Sequence, residues 1–308
     1  QWRDGCAFGE AVDALRGDGG PREPDSRARP AVPAKPLPAP EAGRETRRQT
    51  RALRIWREAV ACGPVGEVSP AEVYISKARG IDLEAVGWPI PSLRCHPALD
   101  YWHAGAEQPV SLGKWPAMVA GVQAPDGRVV AVHVTYLAPD GHAKAEVTAP
   151  DGEALPAKKM QGGVQGCAVR LSPASDVGLW AVAEGIETAL SVLWAERAAG
   201  RDTCVWAALS LGNLHGGGLG RGPRHPRPRR RGDRLPSAEP DPERPGVLPP
   251  PGVTSALICA DGDGKDPIAQ QYLEARAAAR FRAAGAGEVL VAKPPPGKDF
   301  NDLVKEGA

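Results

Sequence analysis

The sequence predicts an α/β protein: a C-terminal domain over 176–308 on a parallel central sheet, preceded by a smaller α+β domain over 47–175 and a disordered linker. Short apolar runs at Trp180–Ala183, Val205–Leu209, Ala256–Ala260 and Val289–Ala292 read as strands buried on both faces. Between the first two runs Ile186, Ala189, Leu190, Leu193 and Trp194 recur at helical spacing, on one apolar face. Upstream, Val129–Tyr136 lies between Asp126-Gly127 and Asp140-Gly141, which are hairpin-type turn signals and place antiparallel strands in the smaller domain.

The elements follow in order. Residues 17–46 are rich in Gly, Pro, Ala and Arg and hold few large apolar side chains, too few to offset the entropy of folding. Arg47–Cys62 carries Leu53, Ile55, Trp56 and Val60 in a basic, helical segment. Ser69-Pro70-Ala71-Glu72 has a helix-capping spacing with proline at the first helical position, and leads to Tyr74 and Ile75. Lys158-Lys159 before Gly162-Gly163 is either a contact to nucleic-acid backbone or a solvated pair. His96, His103 and His133 are far apart in sequence and are read as structural.

In the C-terminal domain the first strand ends on Glu184, and Gly185 permits the turn into a helix. After Val205–Leu209 the chain is glycine-dense from Gly212 to Gly222. Arg221, Arg224, Arg227, Arg229, Arg230, Arg231 and Arg234 then crowd together with one acid, Asp233. Through Pro251 the stretch is too rich in proline and charge to pack, so a flexible insertion is expected at about 212–252. Ala256–Ala260 ends on Asp261-Gly262-Asp263-Gly264. Asp266 before Pro267 reads as a helix start, with a further metal ligand as the alternative. A helix over Ile268–Ala284 would join this strand to one at 288–292 in a right-handed βαβ unit.

Open α/β sheets bind ligands at the carboxyl ends of their strands, which places Glu184, Asp261 and Asp263 on one edge. Three carboxylates there repel one another unless a cation neutralises them, and hard oxygen donors select Mg²⁺ or Mn²⁺. Residues two apart in an extended segment point the same way, so Asp261 and Asp263 can reach one ion, and Gly262 and Gly264 leave room for a phosphate. Plainer roles exist: Glu184 as a helix-start carboxylate favoured by the dipole, Asp-Gly-Asp-Gly as a solvated turn. The two motifs together, in this order and strand context, favour the site.

The pattern resembles the Toprim domain shared by bacterial-type primases, type IA and type II topoisomerases and some nucleases. Its marks are a strand ending in Glu-Gly, here Glu184-Gly185, and a later one ending in Asp-x-Asp, here Asp261-Gly262-Asp263. A third, acidic turn corresponds to Gly297-Lys298-Asp299-Phe300-Asn301-Asp302. Within the family the likeness is to the primase-like Toprim proteins of phages, plasmids and integrated mobile elements, through Ala183–Ser191 and Gly297–Asp302. There are two departures. Cellular primases place an aspartate four residues after the motif glutamate, where this chain has Thr188 and, one position earlier, Glu187; and Gly264-Lys265-Asp266-Pro267 precedes the helix. Trp2-Arg3-Asp4 followed by Gly9-Glu10-Ala11-Val12-Asp13 resembles the end of the zinc-binding module that opens primase-like proteins, so residues 1–16 are expected to be its remnant, with the zinc ligands upstream of Gln1.

The resemblance implies Mg²⁺-dependent (or Mn²⁺-dependent) phosphoryl transfer on nucleic acid, as primase-like primer synthesis in the replication of a mobile element. Asp261 and Asp263 would hold the metal, Glu184 would be a further ligand or the general base, and Asp299 would complete the acidic cluster. Arg224, Arg227, Arg229, Arg230, Arg231 and Lys298 are the expected contacts to nucleic acid. The implied partners are single-stranded DNA or a primer–template, nucleotides and a replicative helicase. A Toprim nuclease and a non-catalytic replication accessory protein are the alternatives, and Thr188 favours the second. Topoisomerase chemistry is set aside, because Tyr74, Tyr101, Tyr136 and Tyr272 sit in no DNA-gate context.

Composition sets the outer bounds. A chain of 308 residues suggests two domains, and its net charge of +1 conceals an uneven distribution. No apolar run approaches a membrane span and no signal peptide is evident. The 6 cysteines stand apart with no C-x-x-C pair, so no zinc site is expected within this chain, and scattered thiols fit a reducing cytoplasm.

Overall fold

The structure, a computed structural model, describes residues 42–63, 68–105, 108–173, 178–228, 232–260, 266–295 and 298–307. The expected zinc-module remnant at 1–16 and the linker up to residue 41 lie outside them. The chain divides into two compact units, one spanning Ala39–Val164 and one that includes Gln165–Ala308.

The first unit begins with helix α1, Ala42–Glu58. Its sheet runs in the order β1-β2-β3-β4-β7, with β1 Val60–Ala61, β2 Leu93–His103, β3 Val110–Gln123, β4 Val129–Tyr136 and β7 Lys158–Gln161, all neighbours antiparallel. A second, two-stranded sheet pairs β5 Val147–Thr148 with β6 Ala154–Leu155. The Asp126-Gly127 signal closes the β3–β4 hairpin: Gly127 takes φ 85° and its N–H donates to the Ala124 carbonyl at 2.8 Å. Ala52 and Ile55 of α1, with Ala59 just after it, pack against Val119, Val132, Val134 and Tyr136 of the sheet. Gly121 makes that packing possible, since a Cβ there would come within 2.9 Å of the Trp56 ring.

The predicted capping box opens α2, Pro70–Val73. Ser69 Oγ accepts the Glu72 N–H at 3.3 Å, and Glu72 Oε2 accepts the Ser69 N–H at 2.8 Å. A π-helical turn, Tyr74–Ala78, continues from it and buries Tyr74 and Ile75. The cysteine expectation needs correcting here. Pairing of β1 with β2 sets Val60 opposite Cys95, and Cys62 and Cys95 form a disulfide with Cα atoms 5.4 Å apart. Two residues 33 apart in sequence meet because the strands bring them together, a contact that sequence spacing does not reveal. With this bridge, scattered thiols no longer argue for a reducing compartment. Cys167, Cys204 and Cys259 are buried outside the disulfide, and burial pushes the Cys204 thiol up to about 12.

The second unit is built on a five-stranded sheet in the order β12-β11-β9-β10-β8. β9 Leu179–Ala183, β10 Cys204–Ala207, β11 Ser255–Cys259 and β12 Glu288–Ala292 are parallel, while the edge strand β8, Val169–Arg170, is antiparallel to β10. The four parallel strands are those expected; β8, two residues long, carries no periodicity to announce it. Trp180, Val182, Trp206, Ile258 and Ala256 form one face of this core with Ala277, Ala278 and Phe281. Those last three belong to α5, Pro267–Ala283, which Asp266 caps by accepting the Ala269 N–H at 3.0 Å.

Two expectations are corrected in this unit. The helix after β9, α3 (Ile186–Ala198), is buried around almost its whole circumference, Glu187, Thr188, Ser191 and Glu196 included, rather than on one face. It lies between the sheet and α6, Phe300–Gly307, and a helix covered on both sides loses its polar stripe. Its interior polar groups are paired: Glu196 takes Arg201 at 2.9 Å, and the Ser191 hydroxyl accepts from Asn301 Nδ2 at 3.2 Å. The 212–252 segment, expected to be unable to pack, docks on α5 in its described part, burying Leu235 and Val247. The reason is chemical. Arg276 donates to the carbonyls of Ser237 (2.7 Å) and Gly216 (2.9 Å), and Arg280 to those of Leu214 (2.7 Å) and Val247 (2.9 Å). Two guanidiniums on a helix thus supply the backbone pairing that a proline-rich segment cannot make with itself. No helix among the described residues is long and apolar enough to cross a membrane.

Candidate functional site

The strand order fixes where the site falls. From β9 the chain crosses to β10 on one side, then returns to β11 on the other side of β9 and goes on to β12. The carboxyl ends of β9 and β11 are therefore the point at which the strand order reverses, the position where open α/β sheets take ligands. Ala183 pairs with both Cys259 and Ala207, so Glu184 emerges at that point. Ala260, whose N–H donates to the Ala292 carbonyl at 2.9 Å, is the last described residue before the Asp261-Gly262-Asp263 run. Asp261 and Asp263 lie outside the described residues, as do Arg229, Arg230 and Arg231.

Glu184 is half-buried and held at both backbone and side chain. Its carbonyl accepts the Leu209 N–H at 2.7 Å, and its carboxylate Oε1 accepts the Leu211 N–H at 3.2 Å. Leu211 opens the short helix α4, Leu211–His215. Leu209 adopts φ 71°, in the left-handed region that β-carbons resist, at a cost of about 1–3 kcal/mol. What sustains it is Asn213. The buried Asn213 amide donates to the carbonyls of Ala208 (2.7 Å) and Cys167 (2.8 Å), while its Oδ1 accepts the Gly166 N–H at 2.8 Å. The corner 208–213 is thus a fixed brace for Glu184. Sequence reasoning passed over it, although Ser210, three residues before Asn213, has the spacing of a helix cap, and its Oγ does accept the Asn213 N–H at 3.2 Å.

The other expected residues fall into two groups. Asp299 follows β12 and starts α6: its Oδ1 accepts the Asp302 N–H at 2.8 Å, and Asp302 Oδ2 accepts the Asp299 N–H at 3.0 Å. The third motif thereby has a helix-capping task of its own. Lys298 Nζ meets Glu306 Oε2 at 2.5 Å on the surface. Arg224 and Arg227 are exposed on a turn whose neck is closed by pairing of Arg224 with Arg234. Between them His225 Nε2 reaches Asp266 Oδ2 at 3.0 Å. That contact fastens the arginine-bearing turn to the start of α5, the helix that follows the Asp-x-Asp run. Glu187 and Thr188 are buried in the first turn of α3.

A divalent ion suits the donors expected here, since carboxylates are hard ligands and Glu184 stands at the strand-order reversal. Among the described residues no set of three or more His, Cys, Asp or Glu gathers as a metal cluster; Glu184 and Asp299 are the described members of the expected set.

Residues 46–171 match the family described as a domain of unknown function (DUF7146). No curated protein matches the chain. Among solved structures the chain is similar to a DNA primase domain from Pseudomonas aeruginosa, at 15% identity and TM-score 0.38 over 68% of this chain and 53% of that one. It is also similar to the zinc-binding and RNA polymerase domains of the Aquifex aeolicus primase, at 15% identity and TM-score 0.42 over 84% and 57%. A third is the primase fragment of the bacteriophage T7 primase-helicase protein, at 13% identity and TM-score 0.37 over 82% and 81%. The chain spans little more than half the length of the first two, 53% and 57%. At these identities and TM-scores the likeness carries no weight for the site's chemistry, which rests on Glu184 and its neighbours.

Proposed function

We propose that the carboxylate edge of the C-terminal unit performs divalent-cation-dependent phosphoryl transfer on nucleic acid, in the form of primase-like primer synthesis for a mobile element. The observation that supports this reading is Glu184 braced at the reversal of strand order, beside the strand that leads into Asp261-Gly262-Asp263. Asp261 and Asp263 would hold Mg²⁺ or Mn²⁺, with Glu184 and Asp299 completing the acidic set. A cation bound there offsets charge that develops on phosphate oxygens.

The chain's own residues do the rest. Glu184, with its backbone and one carboxylate oxygen fixed by Leu209 and Leu211, would accept the proton of an attacking 3′-hydroxyl or would be one of the residues that hold the cation. Arg224 and Arg227, fastened near the start of α5 through His225, offer guanidinium to a passing phosphate backbone, as Arg229, Arg230, Arg231 and Lys298 would. Single-stranded DNA or a primer–template and nucleotides are the partners this activity requires. A replicative helicase and a cytoplasmic location belong to the same reading. A non-catalytic, cation-binding replication accessory protein is the second reading, favoured by a buried Thr188 where cellular primases place an aspartate.

Two measurements test it. Primer synthesis and strand cleavage are assayed on one single-stranded template with Mg²⁺ or Mn²⁺: primers support the proposal, cleavage alone makes the protein a nuclease, and neither product supports the accessory role. Replacing both Asp261→Asn and Asp263→Asn should abolish Mn²⁺ binding in a calorimetric titration and leave thermal stability unchanged or raised, because mutually repelling charges are removed. Undiminished Mn²⁺ affinity in the double variant would remove the metal site.

A further inference from the structure

We propose that the cleft between the 212–252 segment and α5 is a binding site for the polyphosphate group of a nucleotide, separate from the carboxylate edge. The cleft is an open depression of about 560 Å³, lined by the guanidinium-bearing residues Arg221, Arg234, Arg244 and Arg276 with glycines 218, 220 and 222, and by no carboxylate among the described residues. One acid compensates part of this charge from outside the lining: Asp241 Oδ2 pairs with Arg244 Nε at 2.8 Å. Arg276 and Arg234 spend donors on backbone carbonyls, Arg276 on Ser237 and Gly216, and Arg234 on Gly222 at 2.9 Å. No carboxylate partner is recorded for Arg221, Arg234 or Arg276 among the described residues. The arginines feel one another, since Arg276 is held below its ordinary range by burial and then by the charge of Arg244.

The glycines show that this crowding is built in. A Cβ on Gly217 would stand 2.5 Å from Arg244 Cβ, and one on Gly218 would stand 2.7 Å from Arg276 Nη2. The backbone at 217–218 therefore admits two cationic side chains against it only because it carries no side chains itself. A concentration of four arginines that the fold assembles against one compensating carboxylate, Asp241, calls for a multiply charged anion, and guanidinium forks match phosphate oxygens. The lining holds no aromatic residue. Passage of a single strand rests on base stacking as well as charge, so the cleft fits a compact run of phosphates rather than the interior of a strand.

The test uses the full chain in EDTA, so that the carboxylate edge is silent and its failure cannot be confused with failure of this site. Inorganic tripolyphosphate is titrated calorimetrically into the protein and into Arg221→Gln, Arg276→Gln and Arg282→Gln, with melting curves for each. Arg221 is exposed and pairs with no carboxylate among the described residues, and the melting curve checks that its variant folds; Arg282 is exposed on the same helix as Arg276 and outside the cleft. Tripolyphosphate should bind, and Arg221→Gln should weaken it about tenfold, the scale of one charge-assisted contact. Arg282→Gln should stay within about twofold. A loss confined to Arg276→Gln with an unchanged melting curve also supports the site. Equal loss in Arg221→Gln and Arg282→Gln would reduce the effect to the general field, and no binding to the parent protein would end the proposal. A 5′-hydroxyl oligonucleotide that displaces tripolyphosphate as well as ATP does would assign the cleft to strand backbone and overturn it.

Discussion

Glu184 shows how much a single residue's surroundings decide. As a bare helix-start carboxylate it would gain a few tenths of a kcal/mol up to about 1 kcal/mol from the dipole and nothing else. Instead its carbonyl and one carboxylate oxygen are gripped by the N–H groups of Leu209 and Leu211, in a corner whose left-handed leucine Asn213 maintains. Strained backbone that surrounding structure sustains is commonest where position matters for chemistry. Glu184→Gln keeps an oxygen for the Leu211 N–H while removing basicity and charge. It should bind substrate as the parent does and turn over about 10²–10⁴-fold more slowly. Single-turnover rates beside substrate affinity decide this, and near-parent turnover would return Glu184 to a capping role.

At the scale of elements, the docking of α4 and the 212–252 segment on α5 is the least expected part of the fold and has its own pH dependence. His215, 2% exposed, is pushed down to about 4 by burial first and then by the charges of Arg280 and Arg276, against a small opposing contribution from the Leu211 backbone. Its ordinary value is 6.5, so the unfolded chain takes up a proton that the folded one refuses. The stability is whole above about pH 6.5 and declines as pH falls towards 4, by about 3 kcal/mol at most. Denaturant melts at pH 7.5 and 4.5 should show that loss in the parent, and a smaller one in His215→Gln. Equal losses in both would place the titration elsewhere. Parallel strands, the β3–β4 hairpin, the capping box and the start of α5 were all legible, because each depends on periodicity or on residues within a few positions of one another. The anchoring of the proline-rich segment was not, because Arg276 and Arg280 lie far along the chain from the carbonyls they satisfy. The same holds for Cys62 with Cys95, and for the 208–213 brace, whose five-residue helix is too short to show a period.

The whole molecule carries almost no net charge, yet its arginines are concentrated, and under the proposed function that concentration rather than the sum would govern encounters with nucleic acid. Arg224 and Arg227 stand exposed on a turn, and under the proposed function they would contact phosphate, a contribution that should weaken with salt. Affinity for single-stranded DNA should fall with a log–log slope of about −0.7 per neutralised phosphate. Replacing residues 225–233 by a short glycine–serine link should flatten that slope and weaken all sequences about equally, since Arg224 and Arg234 already meet at the neck of the turn. Binding curves across a salt series for both proteins settle it; superimposable slopes would make the turn a tether.

The aromatic packing under the parallel sheet has an optical consequence. Trp180 is fully buried, with its ring centroid 5.7 Å from that of Trp206 and 4.9 Å from that of Phe281, both edge-on. Indoles fixed in so asymmetric a setting give a near-ultraviolet circular dichroism band that disappears when specific packing loosens, even if helices and strands persist. Trp180 is also four residues before Glu184, on the strand that ends at Ala183. Each variant at the carboxylate edge can therefore be judged without a label, by a chromophore in the core beneath that edge, so that a chemical defect is told apart from a slackened core.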